Sequence, residues 1–388
     1  MTMTSYERVK MALEHKEPDR IPFDLGATVL TGINVHCYRN LRKYLGMPCD
    51  NIEIFDPTQQ LARVEEDMIE RLHVDVGCVD PLPPDKPKYG HAAEKNGNYY
   101  VMKDEWDITW KMPVEGGHYF DMVGHPLEDK EEVEDLDDFL WPDPVDPGRF
   151  RTMKERADYN VFDKKRAYVL GRFCAGIWEM ALWTRGFENF FCDMLVNEEY
   201  ANKLMGKITE LKMQYWEKAL ETVGDNVLIV SEADDLATQI STMVSPDLYR
   251  KIVKPYHKKL FDFIRSKAKQ PVHIFYHSCG AVRDLIPDLI EEGVDILNPV
   301  QVSAKGMDTK ELKREFGKDI TFWGGAVDTQ HVLPNGTVQE VRDEVRRRID
   351  DLAPGGGFIF TPVHNVQGDV PPENYMAMWE TLQEYGKY

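Results

Sequence analysis

The chain has 388 residues, 42% hydrophobic and 29% charged, an ordinary balance for a globular protein with a large core. Its 67 acidic against 47 basic residues leave a net charge of −20 without an offsetting basic stripe, so nucleic acid is not an expected partner. No apolar stretch approaches the ~20 residues that span a bilayer, no apolar signal region opens the chain, and the cysteines follow no framework spacing, so a cytoplasmic protein with reduced thiols and no membrane contact is expected.

Residues 4–15 read as a short helix, ended by "KEPDR". A second helical pattern, "DPTQQLARVEEDMIERLHVD", spaces Leu61, Val64, Met68 and Leu72 by three and four and leads into the apolar "VDVGCV". Residues 88–127 differ in kind: short runs rich in Tyr, Trp, Val and Ile between glycine-containing turns predict an antiparallel insertion. The acidic "LEDKEEVEDLDDF" is a solvated surface and the proline-rich "WPDPVDP" a connection.

From residue 166 a regular beat sets in. Strand-like runs recur at "AYVLGRF", "NVLIVSEADD", "VHIFYHSCG", "VDILNPVQ", "ITFWGGAVD" and "GGFIFTPVHN", with helical patterns at 246–268, 281–292, 307–315, 337–352 and 372–385. Alternation of this kind predicts parallel strands with helical crossovers, and the number of units fits a closed (β/α)8 TIM barrel better than an open sheet. The expected organisation is one barrel domain over 1–388, with an N-terminal helical segment 1–45 and the insertion 88–127.

In such a barrel the active site is built at the carboxyl ends of the strands. Those positions hold Glu232, Asp234 and Asp235, then His277 and Cys279, Asn298 and Gln301, Asp328, and finally His364 and Asn365. Singly, each has a structural explanation: a packed His or Cys, an Asp capping a helix, an amide satisfying a loop. Their convergence on one rim is what unrelated capping needs would not produce. His277 and Cys279 stand at i and i+2, so in extended chain they point the same way, and an imidazole with a thiolate suits zinc. A Cys279 nucleophile activated by His277 is the alternative. Gly280 permits the turn into the following helix, whose amino end favours a thiolate.

"EPDRIP", the block from "VSEADDLATQ" to "KPYHKKL", "HSCGAVRDLIPDLIEEGVDILNPVQ", "FWGGAVDTQHVLP" and "PPENYMAMWETLQEYG" together resemble the uroporphyrinogen decarboxylase superfamily, and its cobamide-dependent methyltransferase branch more than its decarboxylases. The resemblance covers nearly the whole chain apart from the insertion, and it implies the same barrel. Decarboxylases of the family clamp a tetrapyrrole's propionates with arginines after the N-terminal helix, but here no arginine lies between Arg20 and Arg39, so a polycarboxylate would lack its counter-charges. The zinc methyltransferases carry a His-x-Cys that His277 and Cys279 match. Where those acting on coenzyme M have a further Cys, this chain has "TPVHN", with His364 nearest in position.

The resemblance therefore implies a zinc ion on His277, Cys279 and His364, with Glu232 or Asp234 as fourth ligand or tuning group. Such a set carries less negative charge than His-Cys-Cys and makes the stronger Lewis acid. The expected function is methyl transfer from a small methoxylated substrate, an aryl methyl ether, to a corrinoid on a separate partner protein, with Asp234, Asp328 and Asn298 as catalytic or orienting residues. The chain has no Asp-x-His-x-x-Gly loop of its own for the corrinoid. A homodimer is left open, as are a methylcobalamin:thiol methyltransferase, a decarboxylase-like lyase and a non-enzymatic corrinoid-binding protein. The aromatic segments "DEWDITWKMP" and "FCAGIWEMALWTRGF" are expected to wall an apolar pocket or to be core.

Overall fold

Parallel strands organise the computed structural model, which describes residues 3–89 and 92–388. Seven of them, β1 (Val76–Val79), β2 (Ala167–Leu170), β3 (Ile229–Ala233), β4 (His273–His277), β5 (Ile296–Asn298), β6 (Thr321–Trp323) and β7 (Phe358–Ile359), lie side by side in chain order. Every neighbouring pair is parallel. Residues 22–24 span the gap between β7 and β1. Phe23 bridges Phe360 in parallel; Phe360 N donates to Pro22 O at 2.8 Å, Asp24 N to Phe360 O at 2.9 Å and Asp75 N to Phe23 O at 2.8 Å. The expected barrel is thus closed by a short eighth stave that the chain supplies first.

Strand parity sorts the side chains. Val76, Ala167, Val169, Ile229, Ala233, Phe275, Ile296, Trp323 and Ile359 share one buried cluster inside the barrel, while alternate residues such as Tyr168, Val230, Tyr276 and Phe322 pack outward against the helices. Val9, Ala12 and Leu13 of the helix Ser5–Leu13 join the inner cluster. Hydrogen bonds from Tyr6 N to Lys165 O (2.8 Å) and from Gly357 N to Ala12 O (3.0 Å) seat that helix under the amino ends of β2 and β7. A capping box of Thr4 and Glu7 starts it. The bottom of the barrel is therefore plugged, which leaves the carboxyl ends of the strands as the working face.

The helical pattern at 56–75 is only partly realised. A helix forms at Glu66–Arg71, but Ile54–Asp56 and Leu61–Ala62 make a small antiparallel pair. The backbone of residues 60–62 is taken up elsewhere: Val35 N donates to Gln60 O at 2.9 Å, Ala62 N to Ile33 O at 2.9 Å, and Gln60 sits at φ 55°. Tertiary pairing overrides the three-and-four spacing there.

The insertion is a four-stranded antiparallel sheet, Glu94–Asn96, Tyr99–Lys103, Thr109–Pro113 and Asp121–Gly124. Residues 90 and 91 of the expected insertion lie outside the described residues. Trp106 packs at 5.7 Å from Phe173 and Trp110 at 5.7 Å from Trp183, so these tryptophans pin the sheet to the barrel. "FCAGIWEMALWTRGF" holds the helix Ile177–Arg185, and Trp178 is buried core. Among the described residues no helix is long and apolar enough to cross a membrane.

Candidate metal centre

β4 carries the site. Its register places His277 beside Ala233 of β3 and Asn298 of β5, and Phe275 facing inward puts His277 inward as well. Backbone pairing continues past the strand, with Asp234 N donating to His277 O at 2.9 Å and Ser278 N to Asn298 O at 2.7 Å. That extension keeps Cys279 on the side of His277, and its Sγ lies 3.3 Å from His277 Nε2. Gly280 then turns the chain at φ +89°; a β-carbon there would sit 2.5 Å from Thr238 O, so no other residue fits without moving Cys279.

His364 arrives from the segment after β7, its ring centroid 5.3 Å from that of His277. One ligand atom each of His277, Cys279 and His364 lie within 4.8 Å of one another. Donors bound at ~2.0–2.3 Å to one tetrahedral ion are spaced on that scale. Asn298 sets the tautomer: its Nδ2 donates to Trp323 O at 2.8 Å, so its Oδ1, 2.6 Å from His277 Nδ1, accepts the ring proton. The Nε2 lone pair of His277 is left facing Cys279 and His364.

Burial, together with the charge of Arg172, pushes His277 down to about 3 despite its bond to Asn298. Burial and the neighbouring His277 push His364 down to about 4. Both rings are neutral at physiological pH, the state in which imidazole binds a metal. Burial, then Asp235 and Glu179, raise the Cys279 thiol well above its usual range. A thiol so placed, beside an imidazole too acidic to take its proton, makes a poor nucleophile pair; a bound cation would instead favour the thiolate.

The carboxylate beside these groups is Asp235. Its Oδ1 accepts from Cys279 N at 2.7 Å and lies 3.9 Å from His277 Nε2, with 37% of its side chain still open to solvent. Glu232, expected as a metal ligand, points the other way because it alternates with the inward Ala233. Lys212 Nζ is 2.9 Å from one of its oxygens, and Trp216 Nε1 donates to the other at 2.6 Å. Asp234 turns aside too. It caps the helix Ile177–Arg185, accepting from Trp178 N (3.1 Å) and Glu179 N (2.6 Å), and binds His257 Nε2 at 2.7 Å. Asp328 Oδ1 accepts from Gln330 N (2.7 Å) and His331 N (3.3 Å) and holds its own loop.

Gln301 and Asn365, expected on this rim, serve its backbone: Gln301 Oε1 receives Gly280 N at 2.5 Å, and Asn365 joins Gly32 N to Val29 O across the segment 25–34. Asp24 carries no signal in the sequence spacing. Asp24 is fully buried, bonded by Trp323 Nε1 at 2.8 Å, and burial pushes it up to about 7. A cavity of about 670 Å³ opens among the loops after β3, β5, β6 and β7, its lining including Gln239, Ser303, Gln330 and Gln367.

Comparison with known proteins supplies the lineage. The family model "Uroporphyrinogen decarboxylase (URO-D)" matches residues 119–385. A uroporphyrinogen decarboxylase of Geotalea daltonii is 25% identical over 185 residues, 48% of this chain and 49% of that protein. One of Thermus thermophilus is 27% identical over 195 residues, 49% of this chain and 50% of that protein. The chain thus spans about half the length of the curated relatives it matches. A solved structure titled methyltransferase from Methanosarcina mazei superposes with a TM-score of 0.62 over 99% of each chain at 18% identity, a likeness of fold. With the family match extending from the insertion to the last helix, the chain belongs to the uroporphyrinogen decarboxylase family.

Proposed function

We propose that this protein is a zinc-dependent methyltransferase that passes the methyl group of a small methoxylated substrate, an aryl methyl ether, to a corrinoid carried on a separate protein. The observation that carries the reading is the convergence of His277, Cys279 and His364 within 4.8 Å at the open end of the barrel. The likeness in fold to a methyltransferase supports the same reading.

Each residue has a task in it. His277 and His364 offer neutral nitrogens and Cys279 a sulfur; Asn298 fixes the His277 tautomer, and Asp235 holds the Cys279 backbone. Bound by these three, zinc would supply the electrophilic pull that an ether oxygen needs to become a leaving group. Ala27 and Leu30 belong to the apolar cluster inside the barrel. Asp328 and Asp234 act at a distance, by holding the loop after β6 and the helix Ile177–Arg185. Segment 21–38 carries no arginine, which leaves the polycarboxylate of a decarboxylase without its clamp.

Metal analysis after dialysis against a weak chelator should find about one zinc per chain, lost in both His277→Ala and Cys279→Ala. Methoxylated aromatics supplied with a reduced corrinoid protein should then be demethylated by the zinc form alone. A wild-type chain that takes up no zinc, or one that decarboxylates uroporphyrinogen, would overturn the proposal; methylation of a thiol by the zinc form would move the reading to a thiol methyltransferase.

A further inference from the structure

Among the described residues, Arg172 is the arginine, of those not exposed, that makes neither a hydrogen bond nor an ion pair, and its Nε is buried without an acceptor. Arg8, Arg42, Arg149, Arg166, Arg185 and Arg348, all buried, each clasp a carboxylate. A guanidinium is always charged and presents five donors in a fixed plane, so leaving it unpaired inside a rim is costly unless a ligand completes it.

Its place is fixed. Gly171, the residue before it, donates to Val79 O at 3.1 Å and accepts from Tyr215 Oη at 2.6 Å, and a β-carbon on Gly171 would lie 1.6 Å from Asp80 Oδ1. Arg172 therefore stands immediately beyond β2, on the rim that carries the metal cluster. Neither Glu179 nor Asp80 comes within ion-pair distance of it, and the nearby Lys212 is committed to Glu232 and to Ala175 O. The next residue, Phe173, is buried against Trp106. An unpaired cation on the rim that also carries His277, Cys279 and His364 suits a molecule with an anionic end.

We propose that Arg172 receives a carboxylate of the substrate, so that the substrate is a methoxylated aromatic acid whose carboxylate is forked on this guanidinium while its ether faces His277, Cys279 and His364. The proposal rests on the methyl-transfer reading and names its substrate class. A planar carboxylate matches the guanidinium fork in two parallel bonds.

The test is calorimetric titration of the purified full chain with 3-methoxybenzoate and with the uncharged 3-methoxybenzyl alcohol. The wild type should bind the acid at least tenfold more tightly than the alcohol. Arg172→Gln should weaken the acid roughly 10- to 100-fold and the alcohol less than about twofold. Arg172→Lys, which keeps the charge and loses the fork, should fall between; it stands as the informative variant if Arg172→Gln does not fold. Equal binding of acid and alcohol by the wild type, or acid binding untouched in the variants, overturns the assignment. Because the titration reads neither zinc content nor methyl transfer, failure of the proposed function shows in those assays and failure of the Arg172 assignment shows here.

Discussion

Asn298 decides which nitrogen of His277 faces the cluster, and it does so with no exposure of its own. Asn298→Ala should let the ring choose either tautomer and lower zinc affinity about 10- to 100-fold, read by competition with a chromophoric chelator; an unchanged affinity would place the control elsewhere. At this scale the sequence was informative where parity applied. His277 and Cys279 are two apart on an extended chain, and they do meet. The same rule, carried through "IVSEADD", turns Ser231 and Ala233 inward and Glu232 outward, so the ligand role assigned to Glu232 was avoidable. Asp235 lies beyond the strand, where parity ends, and its position depends on its bond to Cys279 N. Arg172 could not be singled out at all, since having no partner is a property of the folded chain.

At the scale of elements, the Lys212–Glu232 pair joins the helix Glu198–Val223 to β3, both side chains at 2% exposure or less. Lys212→Met should destabilise the fold by about 3–5 kcal/mol, because it leaves a buried carboxylate without its counter-charge. Glu232→Gln should keep its zinc while lowering the melting temperature; metal analysis and thermal unfolding of the two variants check both statements. Loss of zinc in Glu232→Gln would restore the ligand role. The last helix, Pro372–Tyr385, and the helix Val338–Leu352 formed where their amphipathic spacing predicted. The pattern at 56–75 failed because residues 33–35 claim its backbone, a long-range pairing that a local period does not reveal. The barrel itself was legible from alternation, but its closing stave was not: residues 22–24 are too short and too close to Pro22 to read as a strand.

For the whole molecule, His257 is the hub. It is buried between Asp234 (2.7 Å) and Glu292 (3.3 Å), and Tyr249 Oη donates to Glu292 at 2.6 Å, so β3 and the helices at Lys254–Lys267 and Ile286–Glu292 meet on one imidazole. Burial opposes its charge, but the bonds to Asp234 and Glu292 outweigh burial and push it up to about 9. A raised value means the folded chain holds this proton more tightly than the unfolded one. The contribution is complete below the unfolded value of 6.5 and fades as pH climbs through about 9. Urea unfolding should therefore show stability falling between those limits by on the order of 3 kcal/mol, a slope that His257→Gln should largely remove. A slope that persists in the variant would assign the effect to another group.

The stave at residues 22–24 bears on how the chain can be cut. The segment that carries the family signature, residues 119–385, contains β2 to β7 but neither that stave nor β1. A fragment trimmed to the signature would hold a complete His277, Cys279 and His364 set on a cylinder missing two adjacent slats, with the edges of β2 and β7 bare and ready to pair with other copies. In this protein the boundary of the family-model match and the boundary of a foldable unit are different lines, and the first hundred residues belong to the second.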